Sequence, residues 1–311
     1  MPKHKSFTLG ELAKATNTEV VGNSDCHINN LSTIDNASEG SITFLTNQKY
    51  LHSLDNCMAS AIVVSKEFKE DNRFNFLKSE DPYLTYAKLS KIFKYEEESL
   101  SPSIHESAVI SELSSIGNNV HIGPNVFIGP NCSIKDNVFI HANCSIVKNV
   151  SISSNCLIHP GCVLGSDGFG FAPSQNGYVK IEQLGGLKIG KNVEIGANCS
   201  IDRGALDDTE IKDGVILDNL IHIAHNVILG ENSAIAASCA IAGSTKIGKN
   251  FRMGGLSGVL GHLEICDNVS VVAHTLITKD IKEPGDYVGI IPAQSHKDWA
   301  KSSVFIKKQV K

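Results

Sequence analysis

The chain has 311 residues, more than one ordinary hydrophobic core organises, so two domains or one elongated repeat is expected. Its formal net charge is −5 with no concentrated Lys/Arg block, which argues against nucleic acid, whose phosphates demand a dense cationic surface. The basic N-terminus lacks the apolar core of a signal peptide and no stretch nears the roughly 20 apolar residues of a membrane span, so a cytosolic protein without a transmembrane segment is expected.

Residues 1–100 carry amphipathic stretches, LGELAKAT (9–16) and YLTYAKLSKIF (83–93), between short apolar runs such as ASAIVVS (59–65). That mixture predicts a small α/β domain. On spacing alone, Phe44 and Tyr50 within SITFLTNQKY (41–50) read as core aromatics. The acidic segment YEEESLSPS (95–103) is the natural linker.

From 104 to 280 an aliphatic residue recurs every sixth position. The run starts Ile110, Ile116, Ile122, Ile128 and continues to Leu164, resumes at Ile189, Ile195 and Ile201, and again from Ile211 to Ile277. Period six joins a short strand to a corner, as in hexapeptide β-helices. Residues two apart in a strand share a face, so the position two before each aliphatic also points inward; it holds small or β-branched residues such as Val126, Val138, Ser233 and Thr245. Cys132, Cys144, Cys156, Cys162, Cys199 and Cys239 occupy the same slot and read as compact core residues, leaving Cys26, Cys57 and Cys266 without a role. Three residues after the aliphatic stands Asn in most hexads, from Asn119 to Asn268, with Gly161, Gly204 and Gly214 in others. Both types tolerate the left-handed backbone of a tight corner. Three hexads make a triangular coil, stacked with strands about 4.8 Å apart.

Two interruptions break the repeat, SDGFGFAPSQNGYVKIEQLGG after Leu164 and DRGALDD after Ile201, and loops thrown from a rigid solenoid are where binding groups sit. GFGF is not a dinucleotide fingerprint, since it neither follows an isolated strand nor opens a helix. In the C-terminal extension, 281–311, KEPGDYVGIIPAQ precedes a short basic helix. That helix either caps the open prism end or docks an acidic partner protein through Lys297, Lys301, Lys307, Lys308 and Lys311.

His225 directly precedes the corner Asn226, and His262 takes a corner slot where Asn usually stands. Their hexads are two whole coils apart, so both imidazoles should share one edge, about 10 Å apart along it, with Ser244 between. An imidazole is a common general base for an attacking amine. A single exposed histidine is ordinarily just a solvated surface group. Asp218, seven before His225, is a candidate orienting carboxylate, but it lies on a different edge and could meet His225 only around a corner or across a subunit interface.

The segments DGFGFAP, IDRGALDDT, LDN followed by IAHN, and GHLEICD occur in the order and spacing of the UDP-3-O-(3-hydroxyacyl)glucosamine N-acyltransferases of lipid A biosynthesis, which the chain resembles over nearly its whole length. The resemblance implies a mainly β fold, a left-handed parallel β-helix with an N-terminal α/β uridine-binding domain and a short C-terminal helix, assembled as a homotrimer with sites between neighbouring prisms. It implies that acyl carrier protein presents a 3-hydroxyacyl thioester on phosphopantetheine to the 2-amino group of UDP-3-O-acylglucosamine, with no metal or other cofactor. His225 is then the catalytic base and His262 a second active-site histidine, with backbone N–H groups around Gly243 receiving the oxyanion. SITFLTNQKY matches the family's uridine motif, so Phe44 and Tyr50 would sandwich uracil while Asn47 bonds its edge. The tail is shorter than the helical extension of many family members. His274 and Leu276 fall on the last coils, where a groove would set acyl length.

Three other readings compete. An acetyl-coenzyme A sugar acetyltransferase shares the solenoid but needs neither the uridine motif nor a carrier dock. A γ-type carbonic anhydrase would use histidines at a subunit interface, and His141 and His159 share a hexad slot one coil apart; ladder stacking explains them equally. A non-catalytic scaffold leaves the ordered motifs without purpose.

Overall fold

The computed structural model describes residues 6–69, 71–94, 103–290 and 292–309. Residues 95–102 of the expected linker lie outside that set. Contacts divide the chain into two units, 1–99 and 100–311.

The first unit is the expected α/β domain. A five-stranded sheet runs in the order Glu19–Val21, Asn75–Ser79, Ala61–Ser65, Ser41–Phe44, Asn30–Leu31, antiparallel at the first pairing and parallel elsewhere. Helix α1, Leu9–Thr16, starts at a reciprocal capping box between Thr8 and Glu11 and stops at Asn17, whose φ of 58° ends the helix. Helix α2, Pro82–Phe93, starts where the Asp81 carboxylate accepts from the Tyr83 and Leu84 amides. Leu9, Leu12, Ile42, Val63, Leu77 and Leu89 close one core, with Cys26 against it, and Cys57 belongs to a second core around Ile62 and Phe76.

The second unit is a parallel β-helix with three faces of 9, 9 and 8 short strands. The first face stacks Ile122, Ile140, Ile158, Ile195, Leu217, Ile235, Met253 and Val271. The second stacks Ile110 through Leu164, then Ile201, Ile223, Ile241, Val259 and Ile277. The third runs from Ile116 to Ile265. The inward slots are shut: Val126, Cys144, Cys162, Val227, Ser233 and Thr245 are each at most 1% exposed. The core thiols reach main-chain carbonyls, Cys144 to His159 at 3.1 Å, Cys162 to Gly196 at 3.0 Å and Cys199 to Asp218 at 3.0 Å, which satisfies their polarity inside the prism. Cys266 packs against the same core.

Every corner asparagine of the repeat has φ between 52° and 62°. Their amides form ladders up the edges, Asn119 to Asn137 at 2.6 Å and Asn250 to Asn268 at 2.9 Å, each spanning 18 residues, one coil. Gly161 and Gly214 share the left-handed conformation, but Gly204 does not. Gly204 lies instead inside the second insertion, where a Cβ would sit 1.6 Å from the Asp207 carbonyl oxygen, so close backbone approach demands this glycine. Strand pairing also runs past Ile277, through an Ile265–Ile281 bridge and the strand Gly285–Tyr287 on the first face. Helix α3 spans His296–Gln309, with Lys297, Lys301, Lys308 and Trp299 exposed; the Lys307 side chain and Lys311 lie outside the described residues.

Candidate active site

Both insertions leave the coil between its second and third faces, one after the strand Val163–Ser166 and one after Ser200–Asp202. His225 follows the next strand of the second face, His222–Ile223, at that same corner. His262 follows Gly258–Val259 two coils further along. Loops and imidazoles therefore converge on one edge of the prism. Its rungs are explicit: the Ser244 amide donates to the His225 carbonyl at 2.9 Å and the His262 amide to the Gly243 carbonyl at 3.0 Å. His262 holds φ of 61°, in the corner conformation asparagine takes elsewhere, and its side chain is exposed.

The half-buried His225 ring is clamped on two sides. A Cβ on Gly243 would lie 2.8 Å from its Cε1 and 2.9 Å from its Nε2, and a Cβ on Gly168 would lie 2.7 Å from its Cβ. Only glycine leaves room for the ring at both places. Nδ1 stands 3.0 Å from Asn226 Oδ1, an oxygen that can only accept, so Nδ1 carries the proton and Nε2 is the free base. Asn226 Nδ2 donates to the Asp207 carbonyl at 2.8 Å, tying the histidine to the second insertion.

Asp218 lies at the corner between the first and second faces, as its register requires. Its carboxylate accepts from the Asn219 amide at 2.8 Å and the Ala237 amide at 3.1 Å, so within one chain it braces the backbone and does not reach His225. Asp202, only 5% exposed, stands one rung from His225 on the adjoining coil and feels its charge. Ser166 Oγ donates to its Oδ1 at 3.0 Å, and His222 Nε2 lies 3.7 Å from its Oδ2. Burial pushes the Asp202 carboxyl above the usual range, opposed by the charge of His222, the Ser166 hydrogen bond and the charge of His225. Sequence reasoning missed Asp202, although a charged residue immediately after core Ile201 and directly before the second insertion was a usable signal. Nearby, Gln183 Oε1 and Arg203 Nη1 are buried with no hydrogen-bond partner among the described residues.

In the first unit, Phe44 stacks on Tyr86 at 4.0 Å between ring centres, which covers one face of Phe44. Tyr50 is 55% exposed on the turn Gln48–Asn56. Asn47 caps that turn through Oδ1, which accepts from the Lys49 amide at 3.0 Å, leaving its Nδ2 to donate. A cleft of about 550 Å³ beside Asn47 is lined by Leu45, Leu51, Phe68, Lys69 and Pro82, and not by Phe44 or Tyr50. His141 and His159 stack at 5.4 Å with their planes 9° apart, and His159 Nε2 lies 2.9 Å from Glu194 Oε1. Among the described residues no three His, Cys, Asp or Glu side chains come together as a metal cluster, and no helix is long and apolar enough to cross a membrane.

A hexapeptide β-helix with a glycine-clamped imidazole and looped-out segments along one edge defines an acyltransferase of the hexapeptide-repeat class. Residues 25–92 match the family model of UDP-3-O-(3-hydroxymyristoyl) glucosamine N-acyltransferase, LpxD, and residues 103–168 match the GMPPB C-terminal domain. The UDP-3-O-acylglucosamine N-acyltransferase of Delftia acidovorans is 45% identical, covering 97% of this chain and 91% of that protein. The protein of the same name from Hahella chejuensis is 42% identical over 96% of this chain and 90% of its own length. The chain belongs to the UDP-3-O-acylglucosamine N-acyltransferase family. Among solved structures, LpxA from Acinetobacter baumannii aligns with a TM-score of 0.55 and 29% identity over 60% of this chain and 71% of that one. UDP-N-acetylglucosamine acyltransferase from Campylobacter jejuni aligns at 0.51 and 22% over 58% and 68%, a likeness of fold alone. The shared fold is the left-handed parallel β-helix.

Proposed function

We propose that the protein transfers a 3-hydroxyacyl group from acyl carrier protein to the 2-amino group of UDP-3-O-acylglucosamine, a cytoplasmic step of lipid A synthesis. The observation that carries the mechanism is the His225 ring, clamped by Gly168 and Gly243 and held by Asn226 with Nε2 free. The amine nitrogen attacks the thioester carbonyl and forms the C–N bond while Nε2 takes its proton. The oxyanion is met by backbone N–H groups, with Gly243 the nearest candidate. Collapse breaks the C–S bond, and the leaving phosphopantetheine thiolate recovers the proton from the imidazolium. His262, two coils along the same edge, faces the incoming acyl donor. In the first unit, Tyr50 and Phe44 hold uracil, whose carbonyl accepts from Asn47 Nδ2. The basic face of α3, with Lys297, Lys301 and Lys308, suits an acidic carrier protein.

A trimer accounts for an otherwise costly column at the corner between the first and second faces. Leu220 and Leu256 hold φ of 60° and 59°, a conformation unfavourable for a bulky side chain, and both are 58% exposed. Packing against a neighbouring copy would bury them. Asp218, on the same corner, would then approach His225 of that copy as an orienting carboxylate.

The test is His225→Ala, assayed with UDP-3-O-acylglucosamine and 3-hydroxyacyl carrier protein. Nucleotide affinity and melting temperature stay at wild-type values while turnover falls by about 10²–10⁴. Near-normal turnover defeats the mechanism, and acetyl-coenzyme A serving as well as the carrier thioester defeats the choice of donor.

A further inference from the structure

Within one chain Asp218 is held by main-chain amides, whereas Asp202, which no step above employs, lies buried one rung from His225. We infer that Asp202 is a positioning residue whose carboxylate faces both His222 and His225 and stabilises the imidazolium formed when His225 takes the amine proton. The inference rests on His225 being that base.

Register places the carboxylate there. Ser200 pairs with His222 and Ile201 with Ile223, so Asp202 stands against Ala224, one residue from His225 on the adjoining coil. The charged groups around it are few. His222 Nε2 is 3.7 Å from Oδ2, within ion-pair range and beyond a hydrogen bond. Asp167, in the first insertion, is held below the usual carboxylate range by its contact with Lys180. Arg203, adjacent in sequence, is buried and directs Nε to the Gly185 carbonyl at 2.9 Å. Ser166 gives Asp202 a single neutral donor at 3.0 Å.

A carboxylate removed from water with one hydroxyl for company is short of positive charge, and desolvated carboxylates are retained where a cation repays them. Two imidazoles can supply it. His222 is half-exposed and can be solvated by water, but His225 becomes a cation beneath bound substrate at the moment the proton moves. Asp202 is therefore in place before the charge it compensates appears, which is the condition for electrostatic stabilisation without reorganisation. The two histidines compete for it. Removing Asp202 and removing His222 must then change the His225 imidazolium in opposite directions.

The experiment measures kcat against pH for Asp202→Asn and His222→Gln, with UDP-3-O-acylglucosamine and 3-hydroxyacyl carrier protein as substrates and thermal melts at each pH. Asparagine still accepts from Ser166, so the fold persists. Loss of the carboxylate destabilises the imidazolium, so the acid limb moves to lower pH by about one unit and the plateau rate falls about tenfold. Loss of His222 leaves the whole carboxylate to His225, so the acid limb moves to higher pH. A structural brace would change melting or the plateau and leave the limb in place. Limbs that stay fixed, or move in the same direction in both variants, overturn the inference. If His225→Ala is inactive and these limbs stay fixed, only the role of Asp202 is lost; if His225→Ala is active, the base assignment falls with it.

Discussion

Gly243→Ala isolates the position of the base from the integrity of the fold. The new methyl would arrive 2.8 Å from His225 Cε1, while carbon atoms pack comfortably at about 3.5–4.0 Å, so the ring must retreat by about 1 Å. Gly243 is outside the left-handed region, so alanine is tolerated by the backbone and the unfolded chain loses entropy, favouring the fold by about 0.4–1 kcal/mol. The three atoms nearest that methyl all belong to the imidazole, and moving it also stretches its 3.0 Å contact with Asn226. A 1 Å misplacement of a reacting group costs about 10²-fold in rate, or about 2.7 kcal/mol of transition-state stabilisation. Steady-state turnover with the saturating sugar nucleotide should therefore fall about a hundredfold, while melting temperature holds or rises and KM for the nucleotide barely changes. Turnover within about threefold of wild type would show that Nε2 is not where the proton is taken.

The fold itself can be tested at Asn137, whose φ is 58° and which joins the ladder between Asn119 and Asn155. Asn137→Ala should lose about 1–2 kcal/mol in urea unfolding from backbone strain, more than Asn137→Gly, and equal losses would remove the left-handed corner as the cause. Leu256→Asn relieves the strained corner but removes an apolar contact. Sedimentation should show smaller species than wild type at dilute protein, and an unchanged assembly would dismiss that column as the interface. Because burial raises the Asp202 carboxyl, the folded state holds this proton more tightly than the unfolded chain. Its stabilisation is present below the unfolded carboxyl's value of about 3.9 and is lost as pH rises through the raised folded value. Asp202→Asn should accordingly melt above wild type at about pH 8, with the advantage shrinking toward about pH 4; a constant difference across that range contradicts the desolvated carboxylate.

Periodicity made the prism legible because each residue of a hexad has one task, and a single side chain satisfies it. The six core cysteines, the corner asparagines and the shared edge of His225 and His262 all followed from counting. Gly204 did not, because glycine has two uses and counting cannot separate a left-handed corner from a close backbone approach. The stacking of Phe44 on Tyr86 was hidden for another reason: it joins β-strand and α2 residues 42 positions apart in a domain without a repeat to index them. Asp202 was hidden by rank. Asp218 stands near His225 in sequence, whereas proximity in a coil is set by register, where Asp202 lies one rung away.

The edge bearing His225 departs from the scaffold's habits at the positions of the candidate site, and the departures share a physical logic. His262 replaces asparagine in a left-handed corner, Asp202 places a charge where water is excluded, and Gly168 and Gly243 give up side-chain packing to admit a ring. Each choice costs stability by itself. They are affordable because Ile201, Ile223 and Ile241, the residues beneath them, are fully buried on a continuous ladder. A coil whose core repeats every rung fixes its edge to within the tolerance of a rotamer, so the His225 ring, its Asn226 tautomer partner and the Asp202 carboxylate are set from two adjoining rungs. The geometry of the candidate site is thus a property of register, and changes that keep the register while altering one edge group should alter rate before they alter folding.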